Sequence, residues 1–554
     1  MANPRYEAAR AALSRFAELE KSPEYVHTYR ITPLSLWNAA AGGMRADEIL
    51  GLLREFSKFD LPPNVVADIR DEVSRYGRLK LIASEGRYLL IADDEHLLTE
   101  VWRHRAIQPF LLQHGPGWIE VEPRQRGRIK QALIGIGYPV EDLAGYSPGA
   151  PLAIRLVDRR ANGEPFALRP YQREAVEAFY ANGAPEGGSG VIVLPCGAGK
   201  TIVGIGVIAA AACATLILTT HTLAVHQWIR ELLDKTDVDP AVIGEYTGDR
   251  KEIKPITVTT YQTLTHRRSR DEDFPHLALF EQLDWGLIIY DEVHLLPAPI
   301  FRATAQIQAK RRLGLTATLV REDGLERDVF SLIGPRKHDV PWRDLEKEGY
   351  IAEAVCHEVR IPLPDAERLA YALAEERAKF RLASENPAKA AVVRALLARH
   401  RGKPTLIIGQ FIHQLERIAR ALNAPLITGR TPLAEREAWF DRFIRDEVDL
   451  LVVSKVANFS LDLPSASVAI QLSGTFGSRQ EEAQRLGRIL RPKSAGTVAH
   501  FYSLVTRETK EQEFAANRQR FLTEQGYQYW IHDAEEILGY HGRPGASGGA
   551  EQTL

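Results

Sequence analysis

Over residues 165–345, short runs rich in apolar and β-branched residues alternate with longer stretches of helical period. GVIVL (190–194), TLILTT (215–220), ITVTT (256–260), GLIIYD (286–291) and RLGLTAT (312–318) carry such residues along their whole length, and turn or polar residues bound each run. That pattern predicts strands of a parallel sheet covered on both faces by helices. A second region of the same kind begins near Lys403. PTLIIG (404–409), LLVVS (450–454) and VAIQLS (468–473) are its strands, and Phe411, Leu415, Ile418 and Leu422 share one helical face. The most apolar stretch, 202–218, is Ala- and Gly-rich and interrupted by Thr215, so it reads as a buried helix followed by a buried strand rather than a membrane span.

Upstream of residue 165 the period changes. From 64 to 76, Val65, Ile69, Val73 and Tyr76 fall on one helical face with Asn64 available as its cap, and LKLIA (79–83), SEG (84–86) and RYLLIA (87–92) read as a hairpin. Helices followed by a hairpin predict a winged-helix-like module, with a generic α+β domain as the alternative. The chain therefore divides into a short, loosely attached helix (1–28), an α+β accessory region (29–164), a first α/β domain (165–345), a helical linker (346–400), a second α/β domain (401–540) and a tail (541–554) without apolar content, expected to be disordered.

Composition narrows the classes only locally. The formal net charge of −2 gives no general pull towards nucleic acid, so any such site must be regional. Arg103 and Arg105, the run Arg124, Arg126, Arg128 and Lys130, and residues 266–270 are basic clusters, each equally readable as a solvated face. Cys196, Cys213 and Cys356 are odd in number and far apart, which excludes a disulfide framework and a Cys-rich zinc site and fits a reducing cytoplasm. No signal peptide or membrane span is expected.

Candidate chemistry sits at the ends of the apolar runs. LPCGAGKT (194–201) follows one strand and opens a helix, the setting in which backbone N–H groups cradle phosphates at a helix N-terminus. Leu194, Pro195, Cys196, Gly197, Ala198 and Gly199 form that loop, although Leu194 stands where such loops usually carry their first glycine. Lys200 would reach the β- and γ-phosphates of ATP and the Thr201 hydroxyl would hold Mg²⁺. WGLIIYDEVH (285–294) ends a strand in Asp291, which can hold the metal, and Glu292, which can activate the attacking water. QRLGRILR (484–491) places Arg488 and Arg491 on one helical face, as arginine fingers or as a solvated basic face.

The order LRPYQ (168–172), PCGAGKT, DEVH, TAT and QRLGRILR resembles the motif set of superfamily 2 helicases. GLTATLVRED (314–323), LIGP (332–335), EKEGYIA (346–352), SKVANFSLDLP (454–464), YRITPLSLWNAAAGG (29–43) and DEVSRYGRLKLI (71–82) make it similar to the XPB-type DNA repair helicases over most of residues 30–505. The resemblance implies two tandem RecA-like motor domains acting on single-stranded and forked duplex DNA with 3′–5′ polarity, using ATP and Mg²⁺. It implies that Gln172 reads adenine and that Gln484 faces the nucleotide. Thr316 and Thr318 would couple the ATP site to DNA, and the Arg-Glu-Asp motif, Arg321, Glu322 and Asp323, would touch or part the strands. A short thumb near 365–381 would grip DNA through Arg377 and Lys379, with Leu369, Leu373 and Phe380 as a packed face and a plain linker as the alternative. Ala457, Asn458 and Phe459 depart from the family pattern, which puts ATP contact by that loop in question. DNA repair, with a nuclease or other repair protein as partner, is the expected setting. The alternatives are a duplex translocase that never separates strands and a DNA-binding scaffold with a vestigial motor.

Overall fold

The computed structural model describes residues 5–539 apart from 22–27, 185, 196, 268–273, 308–309, 318–325, 341, 351–353, 455–465, 474–497 and 525–527. Two seven-stranded sheets, each parallel throughout, carry the two α/β domains. Across the first, the strands run Ile243–Tyr246, Ile256–Thr260, Thr215–Thr219, Leu287–Asp291, Arg311–Thr316, Ser189–Val193 and Arg336–Asp339. Its central strands are buried on both faces, as continuous apolar runs require. The stretch over 202–218 divides into the helix Lys200–Ala211 and the strand Thr215–Thr219. Among the described residues, no helix is long and apolar enough to cross a membrane.

The second sheet runs Leu426–Ile427, Leu450–Ser454, Thr405–Gly409, Val468–Gln471, Ala499–Thr506, Ala354–Ile361 and Gln528–Asp533. Ala354–Ile361 lies inside it, paired in parallel with Ala499–Thr506 and Gln528–Asp533, so the second domain begins well before 401 and the expected linker is largely part of it. The thumb region forms two helices, Asp365–Leu373 and Glu376–Ser384. Phe380 is buried edge-on against Phe514, whereas Leu369 and Leu373 are exposed and form no packed face.

The accessory region differs from a winged helix. Helices Pro33–Ala41, Ala46–Phe56 and Pro63–Arg75 share one small core, but the hairpin Leu79–Ser84/Arg87–Ile91 is the centre of a five-stranded mixed sheet with Leu111–Gly115, Trp118–Val121 and Val140–Leu143. Asn64 is not a cap, because Pro62 and Pro63 start that helix, and Tyr76 lies just past its end. Phe16 is fully buried against Leu36 and Ile49, so the first helix is fastened rather than loose.

Two of the basic residues upstream prove to be internal. Arg126 and Lys130 are buried and both donate to Asp142, at 2.7 and 2.8 Å. Burial alone would raise the Asp142 carboxyl; Lys130 and Arg126 instead hold it well below the usual carboxylate range. Burial lowers Lys130 to about 7. Gly127 lies on the first motor domain so closely that a Cβ would stand 2.4 Å from the Ala305 carbonyl. These cations are neutralised inside the accessory region, where Arg126 also donates to the Gly145 carbonyl at 3.1 Å, and they form no exposed basic face.

Candidate active site

Three strands of the first sheet deliver the chemistry to one edge. Ser189–Val193 runs into the phosphate loop, Leu287–Asp291 ends in the acid pair and Arg311–Thr316 ends in the first threonine of TAT. Parallel strands place all three C-termini on the same side, where α/β sheets bind ligands. The Leu194 N–H donates to the Thr316 carbonyl at 2.9 Å, which ties the loop to TAT.

The loop turns through Gly197 and Gly199, both at φ +82°, a left-handed conformation that disfavours side chains. A Cβ on Gly199 would also stand 2.6 Å from the Gln172 amide nitrogen. Gln172 is buried, and its amide is engaged at both ends. Nε2 donates to the Ala198 carbonyl at 3.1 Å and Oε1 accepts from the Arg169 N–H at 3.0 Å. Tyr171 donates to the same carbonyl at 2.7 Å. Gln172 thus braces the phosphate loop. Leu194, Pro195 and Ala198 are buried, whereas Thr201 is half-buried in the first turn of the helix; Cys196 lies outside the described residues.

Lys200 approaches Glu292 at 3.5 Å, both largely shielded from solvent. Glu292 sits at φ 52°, ψ 54°, left-handed for a residue with a Cβ. Such backbone conformations cost about 1–3 kcal/mol and cluster at functional positions. Here the turn swings Glu292 out of the strand line towards Lys200. Asp291 accepts from the Trp228 indole at 3.0 Å, and the Tyr261 hydroxyl donates to its carbonyl at 2.8 Å. Gly204 makes room for that indole: a Cβ there would lie 2.4 Å from the Trp228 ring.

Burial pushes the Asp291 carboxyl up, and the adjacent Glu292 charge pushes it further. Burial also opposes ionisation of Glu292, but Lys200 and His294 outweigh it and draw that carboxyl down. His294 completes a circuit, with Nδ1 2.6 Å from the Thr316 hydroxyl and 3.6 Å from Glu292. Lys200, Glu292, His294, Thr316 and Leu194 therefore form one closed path between phosphate loop, acid pair and TAT.

Lys379 pairs with Glu376 at 3.1 Å in the second thumb helix, which also holds Arg377. Thr318, Arg321, Glu322, Asp323, Gln484, Arg488 and Arg491, with Ala457, Asn458 and Phe459, lie outside the described residues. Sequence reasoning missed Trp228 and Tyr261, which stand on other elements and carry no motif spacing, and gave no role to Tyr171, although it stands inside LRPYQ. It also gave no role to His294, although that residue ends DEVH. Tyr350 was missed too. It stacks obliquely on Tyr171 at 5.3 Å and beneath the Arg169 guanidinium, linking the Gln172 segment to the entry of the second domain.

The family model of the ERCC3/RAD25/XPB C-terminal helicase matches residues 345–539, that of the type III restriction enzyme res subunit matches 165–321, and a helicase conserved C-terminal domain matches 1–115. The protein named DNA 3′-5′ helicase XPB of Kineococcus radiotolerans is 55% identical over 99% of this chain and 96% of its own. That of Mycobacterium tuberculosis is 54% identical over 96% and 95%. The general transcription and DNA repair factor IIH helicase/translocase subunit XPB/SSL2 of Saccharomyces cerevisiae is 31% identical over 96% of this chain and 70% of its own. Among solved structures, the Type ISP restriction-modification enzyme LlaBIII shares the fold, with a TM-score of 0.50 at 13% identity over 67% of this chain and 31% of that one. The paired parallel sheets, the single edge that gathers the motifs and the full-length identity agree: the chain belongs to the XPB family of superfamily 2 helicases.

Proposed function

We propose that this chain is an ATP-driven motor that moves 3′ to 5′ on DNA and separates its strands, in the service of DNA repair. The observation that carries the reading is the closed path from Lys200 through Glu292, His294 and Thr316 back to the phosphate loop. Hydrolysis changes what Lys200 and Glu292 face, and the same path passes that change to TAT, beyond which the Arg-Glu-Asp motif follows in the chain.

The residues divide the work. The loop backbone and Lys200 bind the triphosphate of the substrate ATP, and Glu292, drawn towards its ionised form, accepts a proton from the attacking water. Asp291 and Glu292 both feel the Lys200 ammonium at this edge, and their carboxylate oxygens are the donor type that a divalent cation takes. Thr201 and Asp291 would hold Mg²⁺, which when bound neutralises phosphate charge. Arg488 and Arg491 would reach the nucleotide from the second domain, with Gln484 beside them, and Thr318 would act with Thr316 in coupling. Arg321, Glu322 and Asp323 would stand at the fork. One cation and two anions suit a wedge better than a phosphate clamp. Arg377 and Lys379 would grip the strand, and a protein partner, such as a repair nuclease, would direct the motor to its substrate.

ATPase rates with single-stranded DNA, forked duplex, blunt duplex and RNA test the reading. The expected result is strong stimulation by single-stranded and forked DNA, with RNA weaker. Stimulation by blunt duplex alone, with triplex displacement but no strand separation, would assign a translocase instead. An absence of DNA-stimulated turnover would leave a scaffold.

A further inference from the structure

The described chain resumes at Glu326, directly downstream of Arg321, Glu322 and Asp323, and there it is held from two sides. One side is the ATPase sheet: the Arg312 guanidinium donates to the Leu332 carbonyl at 2.7 Å and the Ser189 hydroxyl to the Ile333 carbonyl at 2.6 Å. Those donors lie on the strands that run into TAT and the phosphate loop. The other side is the accessory domain. Gln131 Nε2 donates to Asp328 Oδ1 at 2.8 Å, Phe330 packs with Trp37, Ile134 and Tyr76, and Asn38 accepts from the Arg336 N–H at 3.0 Å.

Val329–Ile333 winds as a π-turn, a rare form frequent at functional sites, and all five residues are buried. The apolar contacts around Phe330 fix how close the accessory domain lies without fixing its register. A directed amide–carboxylate bond does fix register, and among the described residues Gln131–Asp328 is the side-chain hydrogen bond to the accessory domain nearest the motif.

We propose that the accessory domain positions the Arg-Glu-Asp motif for strand separation by holding the chain just downstream of it, with Gln131 and Asp328 as the latch. The proposal rests on the wedge role given above to Arg321, Glu322 and Asp323. Gln131 and Asp328 are positioning residues, so their loss uncouples unwinding from ATP use while the bonds from Arg312 and Ser189 keep the ATPase edge in place.

The test compares Gln131→Glu, which sets a second carboxylate against Asp328, with Asp328→Ala, Asp328→Asn and the triple alanine variant of Arg321, Glu322 and Asp323. Each full-length protein is checked by thermal melt, then assayed for forked-duplex unwinding and single-stranded-DNA-stimulated ATPase. Gln131→Glu and Asp328→Ala should lose about 10-fold in strands separated per ATP, the equivalent of one charge-assisted hydrogen bond, with ATPase changed less than about 2-fold. Asp328→Asn, which keeps an acceptor oxygen, should retain the unsubstituted ratio. If the triple variant stops unwinding while folded latch variants unwind normally, the latch is wrong and the wedge stands. If the triple variant unwinds normally, the wedge is wrong and the latch falls with it. Equal loss of both activities in the latch variants would make the contact merely structural and overturn the proposal.

Discussion

In the proposed reaction Lys200 and Glu292 carry separable parts, and single substitutions tell them apart. Lys200→Ala would remove the contact proposed to the terminal phosphates and should abolish turnover while DNA binding largely survives, as read by ATPase and a gel-shift titration. Glu292→Gln keeps the nucleotide bound but leaves the water unactivated, so turnover should stop with ATP affinity intact. Loss of nucleotide affinity would contradict the role given to Glu292. A second residue-scale outcome concerns four histidines in the second domain. His357 lies 3.0 Å from His532 and 3.3 Å from His500, and His400 lies 2.8 Å from the Tyr502 hydroxyl. Burial, followed by the neighbouring histidines and the cations Arg399 and Lys403, lowers His357 to about 3 and His400 to about 4. Burial with Lys403 and Arg399 lowers His500 to about 4. Glu536 stands 3.5 Å from His532, at the far end of the cluster. These depressed values mean that the unfolded chain takes up protons first. Stability is full above the unfolded value near 6.5 and drains as pH falls towards the folded values of about 3 to 4. Urea denaturation midpoints at about pH 7 and about pH 5 check this, and His500→Gln should flatten the slope; equal midpoints in the unsubstituted protein would refute it.

At the scale of elements, the most exacting contact is the buried charge cluster that joins the helix Arg126–Gly135 to the strand Val140–Leu143 within the accessory region. Asp142→Ala leaves Arg126 and Lys130 buried without their carboxylate and should cost about 3–5 kcal/mol, seen as an earlier melting of the accessory region. A melt that matches the unsubstituted protein would show that water reaches these cations. This cluster also marks where the sequence stopped being readable. Arg126, Arg128 and Lys130 look like a surface run because helical neighbours show charge but not the remote acid that buries it; only Arg128 is exposed. The strand Ala354–Ile361 escaped for a related reason. His357, Glu358 and Arg360 interrupt its apolar pattern, yet His357 meets other histidines and Glu358 accepts from Arg360 and Tyr529, so its polar residues are satisfied within the fold. At Ile256–Thr260 and Leu450–Ser454, whose residues are apolar or β-branched up to the closing Ser454, pattern and structure coincide residue for residue. The site shows the same division. Lys200, Asp291 and Glu292 stood out as candidates because their chemistry demands fixed local spacing, and Thr316 only through the family resemblance. Trp228 and Tyr261 did not, because orienting Asp291 requires only that they arrive from somewhere.

For the whole molecule, the two sheets matter as a pair. If Arg488 and Arg491 complete the ATP site from the second domain, replacing either by Ala should lower kcat at least 10-fold with little change in nucleotide affinity, the signature of contacts made mainly in the transition state. Unchanged kcat in both variants would return that segment to a solvated basic face. Closure around ATP and reopening after hydrolysis then convert chemistry into displacement along a strand. The claim that all of this serves a directional DNA motor is tested most directly by strand displacement on two partial duplexes, one with a 3′ single-stranded arm and one with a 5′ arm, using the unsubstituted protein and Lys200→Ala. ATP-dependent separation confined to the 3′-armed substrate, and absent in Lys200→Ala, is the predicted result. Separation by Lys200→Ala at the unsubstituted rate, or none from the 3′ arm by a protein that hydrolyses ATP, would contradict it.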